Sequence, residues 1–206
     1  MGFARRRAPR WIASSLVLLA LGGCGLAPQG ALTTGADAQA EANGLFSPKL
    51  PSDRPLEAAE RAGGFEEFLK VATLEALKWD KKALLSGAQA VHVDAAAGKA
   101  GGTQFTYLFT AGRNGLQVSI SGNNVAFEKA KAGTPFEAGA RVTAPQAIQT
   151  ALATGQIAGE AFIVALVQPS TAKVPVFVVM EHKPEGRRVV VNARTGLALG
   201  AAEQTL

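Results

Sequence analysis

Cysteine and histidine are scarce in this chain of 206 residues: Cys24 is its only cysteine, and His92 and His182 are its only histidines. A single cysteine excludes a disulfide within the chain, so packing alone must stabilise the fold. The sequence also lacks Gly-x-Ser-x-Gly, a phosphate-binding loop with Lys and Ser or Thr, and His-Glu-x-x-His. We therefore predict no catalytic residue, no cofactor and no metal site, and a protein that is not an enzyme.

An excess of charge of one sign is also absent once the first residues are set aside. The formal net charge is +5, but residues 1–23 hold four arginines and no acidic residue. The remaining 183 residues carry 17 Lys+Arg against 16 Asp+Glu, a balance of +1. Because such a chain lacks the basic surface that nucleic acids attract, we predict no nucleic-acid partner. This length allows one domain or two small ones.

The chain has no apolar run long enough to span a bilayer, which takes about 20 residues. An apolar segment extends only from about Trp11 to Leu21, after the four arginines, an order typical of a signal peptide. The sequence Leu21-Gly22-Gly23-Cys24 that follows resembles the lipobox of bacterial lipoproteins. The resemblance implies a signal peptide at 1–23, cleavage before Cys24, a diacylglycerol thioether on its thiol, and a further acyl chain such as palmitate on its amine.

Three alternatives remain for this segment. It could be an ordinary secretory signal with a cysteine nearby by chance, or an uncleaved membrane anchor, which the short apolar run disfavours. Arg5-Arg6-Arg7 could belong to a twin-arginine signal, but the apolar context after the pair is missing. In Gram-negative lipoproteins an aspartate after the cysteine usually signals retention in the inner membrane. Gly25 therefore indicates the outer membrane, facing the periplasm, if the organism is Gram-negative.

Residues 24–52 are rich in Ala, Gly, Thr, Gln and Pro, and this composition predicts a flexible tether. Apolar spacing then predicts helices at 65–79 and 144–153, the second beginning with a capping box of Thr143 and Gln146. Asn114-Gly115 is predicted to lie in a hairpin turn. Alternating and continuous apolar runs predict strands at 83–94, 104–110, 116–121, 160–168, 174–181 and 187–192.

Each half of the chain is thus predicted to be a helix followed by three antiparallel strands. The spacing of the strands is similar in the two halves, with 14 residues from Val91 to Phe105 and 14 from Phe162 to Val176. We predict an α+β fold of two such repeats. The first occupies 53–140, with residues 126–140 as a connector, and the second occupies 141–206. A chance match between two common α+β units is the alternative.

The second half also ends in a distinctive segment, in which a strand is followed by Asn192, then Thr195-Gly196 and the apolar Leu197. Together with the helix 144–153 and the strand 176–179, this segment resembles the PepSY domain family. Asn192 stands where that family has an aspartate, and asparagine can make the same turn. The first half is similar to a more divergent copy. The resemblance implies a binding or inhibitory module of the cell envelope, with a protease or another envelope protein as partner, and the tandem arrangement is similar to the β-lactamase-inhibitor protein.

His92 and Asp94 are two residues apart on a predicted strand, so they share a face and could contact one metal ion. The other histidine, His182, lies at the end of another strand beside Glu181. The four could converge only if the two sheets meet there, and a zinc site needs three or four protein ligands. Solvated polar positions between Val91 and Val93 are the simpler interpretation, and we predict no metal ligand.

The strands at 161–167 and 174–180 are apolar on both faces, so the face away from the helix needs a cover. The cover could be the first half of the chain or a partner protein. We therefore expect a lipid-anchored, non-catalytic binding or inhibitory module of the cell envelope. The alternatives are a structural or assembly lipoprotein that docks on an envelope complex and, as a minor one, an enzyme of unknown type.

Overall fold

The computed structural model of the chain describes residues 48–94, 101–137, 139–170 and 173–199. The predicted signal peptide (1–23), Cys24 and the tether as far as residue 47 lie outside these residues. The described residues form two helices, α1 (Phe65–Trp79) and α2 (Ala144–Ala153). Their strands are β1 (Arg54–Pro55), β2 (Leu84–Asp94), β3 (Gln104–Ala111), β4 (Asn114–Ser121), β5 (Asn124–Lys131), β6 (Ala161–Val167), β7 (Val176–Glu181) and β8 (Arg188–Asn192).

All eight strands belong to a single antiparallel sheet in the order β1-β5-β4-β3-β2-β6-β7-β8. The two halves of the chain meet where β2 pairs with β6, through partners such as Ala88 with Leu166 and Ala90 with Val164. The α+β class is confirmed, but the prediction of two repeats, each a helix with its own three-stranded sheet, is wrong. The central strands satisfy each other's backbone hydrogen bonds across the halves, so neither half ends in a free sheet edge there.

The first half also contributes one main strand more than predicted. Residues 126–140 were expected to be a connector, yet β5 pairs along its whole length with β4, from Asn124 opposite Ser121 to Lys131 opposite Asn114. Val125 and Phe127 of β5 are buried, whereas Glu128 is exposed. The strand was missed because its apolar alternation covers only these two large side chains, and charged residues follow them.

Both helices pack on the same face of the sheet. The register aligns Tyr107, Ala88, Leu166 and Phe177 in one row across β3, β2, β6 and β7, and all four side chains are buried. Phe65 of α1 meets two members of this row, since its ring centroid lies 5.8 Å from that of Tyr107 and 6.1 Å from that of Phe177. The first helix therefore packs across the boundary between the halves, and the core is continuous.

The carboxylate of Glu66 connects the N-terminal ends of the two helices. Helix α2 begins at the predicted capping box, in which Thr143 and Gln146 each accept a hydrogen bond from the other's backbone N–H. Glu66, in the first turn of α1, accepts a further bond from the N–H of Ala144 at 2.5 Å. Burial raises the pKa of Glu66 above its ordinary value. Because α2 offers its free N–H groups at this end, the carboxylate ties the two helices together.

The hairpin between β3 and β4 turns two residues earlier than predicted. Gly112 carries the positive φ of +61°, and Asn114 and Gly115 already lie in β4, opposite Ala111 and Thr110. Gly115 is required for a different reason, since a Cβ there would clash with the backbone carbonyl of Ala130 on β5. The prediction that Asn114-Gly115 forms the turn is therefore wrong, because the glycine that turns the chain is Gly112.

Candidate functional site: a histidine pair beside an open sheet face

The face of the sheet opposite α1 and α2 carries no helix or strand among the described residues, and we call it the open face. Its β6–β7 part, the apolar half, presents five half-buried side chains: Ile163, Ala165, Val167, Val178 and Met180. Val176 and Val190, which lie opposite Val167 and Val178 on the same face, are buried. The same row continues into a polar half on β2, β3 and β4 through Gln89, Thr106 and Ser119. The open face therefore changes from apolar to polar along the sheet.

The first half of the chain does not cover the apolar half. Its strands extend the same sheet sideways, and its helix α1 lies on the opposite face. The segment between β5 and α2 runs along one end of the sheet. There the backbone N–H of Phe136 donates a hydrogen bond to the carbonyl of Leu85, and that of Val142 donates one to the carbonyl of Ala193. Of the two covers expected from the sequence, the first half is thus excluded for the described residues, and a partner protein stays a prediction.

His92 and His182 meet at the margin of the open face. Their Nδ1 atoms are 2.9 Å apart, and their rings stand at 86° with centroids 4.9 Å apart. His182 follows the last residue of β7, and its backbone N–H bonds to the carbonyl of Ala161 on β6. Both imidazoles are exposed to solvent. One Nδ1 must donate and the other accept for this contact to be a hydrogen bond between neutral rings.

A β-bulge in β2 brings His92 to this position. The register between β2 and β6 shifts between Ala90 and Val93, and His92 has a φ of +57°, in the left-handed region that non-glycine residues seldom occupy. The bulge interrupts the regular alternation that predicted a shared face for His92 and Asp94. His92 instead reaches a histidine two strands away, past β6, where Asp94 pairs with the small Ala161.

Glu181 holds the end of β7 in place immediately before His182. Its buried carboxylate accepts hydrogen bonds from the backbone N–H groups of Ala158 and Arg187, both at 2.9 Å, and forms an ion pair with Lys183 at 3.0 Å. These bonds, led by the one from Ala158, lower the pKa of Glu181 to about 2. The residue that the sequence offered as a metal ligand is thus committed to holding the turn after β7.

The described residues form a small cleft near the end of α1. It has a volume of about 140 Å³ and lies between α1, the β3–β4 turn and β5, lined by residues that include Trp79, Arg113 and Lys129. Binding pockets for small organic molecules usually measure roughly 300–1,000 Å³. Trp79, the last residue of α1, is buried. Among the described residues, no group of three or more His, Cys, Asp and Glu side chains could hold a metal ion.

No protein-family model matches the chain, and no curated protein matches it. The PepSY resemblance therefore stays a prediction. A similar solved structure is that of a protein from Clostridium difficile 630, provisionally described as a lipoprotein, with a TM-score of 0.50 and 13% identity over 71% of this chain and 96% of that one. At this identity the likeness shows a shared fold. Within the described part of the chain, no helix is long and apolar enough to cross a membrane.

Proposed function

We propose that this protein is a lipid-anchored, non-catalytic binding module of the bacterial cell envelope, and that it binds an envelope protein through its open face. The observation that carries the proposal is the apolar half of that face, where Ile163, Val178 and Met180 remain half-buried with no described element over them. Patches of apolar side chains at the surface of a soluble domain are typical of interaction sites.

The shape of the face favours a protein over a small molecule. Three of the five apolar side chains lie on β6 and two on the adjacent β7, with Ala165 directly opposite Val178, so they form a broad surface. The polar row through Gln89, Thr106 and Ser119 continues from it. Protein interfaces usually combine apolar with polar surface, and Gln89 and Ser119, both half-buried, supply polar surface beside the apolar half. A protease is one such partner, in which case binding would inhibit it.

Anchoring rests on the lipobox and on the fold shared with a protein provisionally described as a lipoprotein. Intact-mass analysis of the mature protein tests it, since acylation of Cys24 adds the mass of the acyl chains and cleavage before Cys24 removes the mass of residues 1–23. The Cys24→Ser variant is expected to lose the lipid and to leave the membrane fraction. A membrane-bound Cys24→Ser protein would show that another element anchors the chain. Fractionation of the same cells assigns the inner or the outer membrane.

The open face is tested with a photo-crosslinking amino acid placed in turn at Ile163 and Val178, with Gln117 and Ser119 of the polar half as matched positions. We expect Ile163 and Val178 to give the same discrete envelope protein, identified by mass spectrometry, and Gln117 and Ser119 to give little of it. The purified partner should then bind the lipid-free domain, and Ile163→Asp should weaken that binding at least tenfold.

Three outcomes would overturn the binding role of this face. A symmetric crosslink to a second copy of this chain, with a dimer in light scattering, would make the face a dimer interface. Equal crosslinking from both halves of the face would remove the role of the apolar side chains. Unchanged affinity of Ile163→Asp, measured in a variant that keeps the thermal stability of the parent, would place the interface elsewhere.

A further inference from the structure

We propose that His92 and His182 together form a binding site for a divalent transition-metal ion, with Cu²⁺ as the favoured ion. The site goes beyond the protein-binding role proposed above and does not depend on it. It is built from two strands that are not adjacent, since β6 separates β2 from β7. The two imidazoles meet by their Nδ1 atoms at 2.9 Å in solvent, where an ion can reach them.

The spacing of the two nitrogens suits a chelate. A metal ion binds imidazole nitrogen at about 2.0–2.1 Å, and two such bonds at a right angle place the nitrogens about 2.9 Å apart. The observed Nδ1 separation is 2.9 Å. The rings are nearly perpendicular, at 86°, so they can approach one ion without stacking on each other.

Because both imidazole rings are exposed, they can exchange protons with solvent when a metal ion binds. In the hydrogen-bonded pair one ring carries its proton on Nδ1 and the other offers a lone pair there. Metal binding at both Nδ1 atoms requires the first ring to move its proton to Nε2 through solvent, with no net change of charge on the two neutral rings. The ion replaces the proton between the nitrogens, and its remaining coordination positions are filled by water.

The backbone holds the site in a conformation that the chain would otherwise avoid. His92 is one of two non-glycine residues with positive φ among those described, and such conformations are strained and cluster at functional sites. The bulge moves the imidazole out of the regular strand alternation and towards β7. At the other side, the buried Glu181 fixes the turn from which His182 projects. The bulge thus positions the ring of His92, and the hydrogen bonds of Glu181 position the ring of His182.

The two imidazole nitrogens available as ligands favour Cu²⁺ over other divalent metal ions. Cu²⁺ binds a given nitrogen site more tightly than Ni²⁺ or Zn²⁺ and accepts square-planar arrangements with two neighbouring nitrogens. A closed zinc site needs four protein ligands and a catalytic one three, whereas no third His, Cys, Asp or Glu joins this pair among the described residues. The site therefore suits Cu²⁺ with two imidazoles and two water molecules, and it binds Zn²⁺ more weakly.

The test is titration of the mature Cys24→Ser chain with Cu²⁺, followed by calorimetry and electron paramagnetic resonance. We expect one equivalent to bind with nitrogen hyperfine splitting from two imidazoles. His92→Asn removes the ring but keeps a residue that tolerates positive φ, and His182→Asn removes the other ring. Each should lower the affinity for this equivalent at least tenfold and leave the splitting of at most one imidazole. Glu185→Gln, an exposed carboxylate in the turn after β7, should bind as the parent does.

Unchanged affinity and spectrum in both histidine variants would overturn the proposal, because the copper would then bind at another group such as the chain's amino terminus. Absence of any equimolar binding would also overturn it and leave the histidine contact as a hydrogen bond only. Circular dichroism of each variant shows whether the fold is retained. If a variant unfolds, paramagnetic broadening of the two histidine ring signals in the NMR spectrum of the parent chain decides the question instead.

Discussion

Phe177 offers a direct test of the continuous core, because it belongs to the second half of the chain and contacts the helix of the first. Its side chain is 1% exposed, and its ring packs edge-on against Phe65 at 6.1 Å. Replacing a buried phenylalanine with alanine removes its transfer free energy and leaves a cavity, which together cost about 3–5 kcal/mol. We therefore expect Phe177→Ala to lower the free energy of unfolding by this amount.

The assay uses two probes of urea unfolding. In the mature Cys24→Ser chain Trp79 is the only tryptophan, so its fluorescence reports on the first half, while far-ultraviolet circular dichroism reports on the whole sheet. We expect both midpoints to fall together in Phe177→Ala, as they do in a two-state transition. The control is Val178→Ala, a half-buried neighbour on the open face, which should cost about 1 kcal/mol.

One result would refute the reasoning. If the Trp79 midpoint stays at the parent value while circular dichroism gains an earlier phase, the second half unfolds alone. The two halves would then be independent units, as two separate repeats would be, and pairing between β2 and β6 would contribute little to stability.

Three further predictions concern single contacts. The pKa of Glu181 is lowered to about 2, so its carboxylate stabilises the fold above about pH 4.5 and loses that contribution as the pH falls towards 2. The midpoint of urea unfolding should therefore fall less steeply over this pH range in Glu181→Gln than in the parent, and an equally steep fall would contradict the assignment. Arg54 bonds to Glu60 at 2.8 Å and to the buried Glu75 at 3.0 Å, so Arg54→Met should cost about 2 kcal/mol in thermal unfolding and Arg54→Lys less. Gly112→Ala should cost about 1 kcal/mol from its positive φ alone, whereas Gly115→Ala should cost more, because its Cβ clashes with β5; equal losses would argue against that clash.

Local patterns predicted both helices and every strand except β1 and β5. The spacing of Phe65, Phe68, Ala72 and Ala76 gave helix α1 at its observed bounds, and all four side chains are buried. The capping box at Thr143 gave the start of α2. These features depend on neighbours within one or two helical turns, so the sequence displays them directly. The alternation in β3 and β4 is visible for the same reason.

Pairing between distant strands was not predictable in this way. The sequence of β2 shows alternation but does not show that its second edge pairs with β6, so two separate sheets were inferred. For the candidate site, the sequence indicated His92 and His182 as residues of interest but placed His92 on one face with Asp94. The bulge that separates them could not be predicted, because its positive φ falls on a histidine and not on a glycine, which would have indicated it. The role of Glu181 was hidden likewise, since its partners include backbone N–H groups.

The pairing of β2 with β6 also sets the order in which the sheet can be completed. The strands β3, β4 and β5 are joined by two-residue turns and can form within microseconds of synthesis, whereas Leu166 follows its partner Ala88 by 78 positions. Until β6 has emerged, one edge of β2 is free to pair with another chain. We expect the nascent protein to be most prone to aggregation in this interval, and chains truncated before residue 161 to associate through that edge.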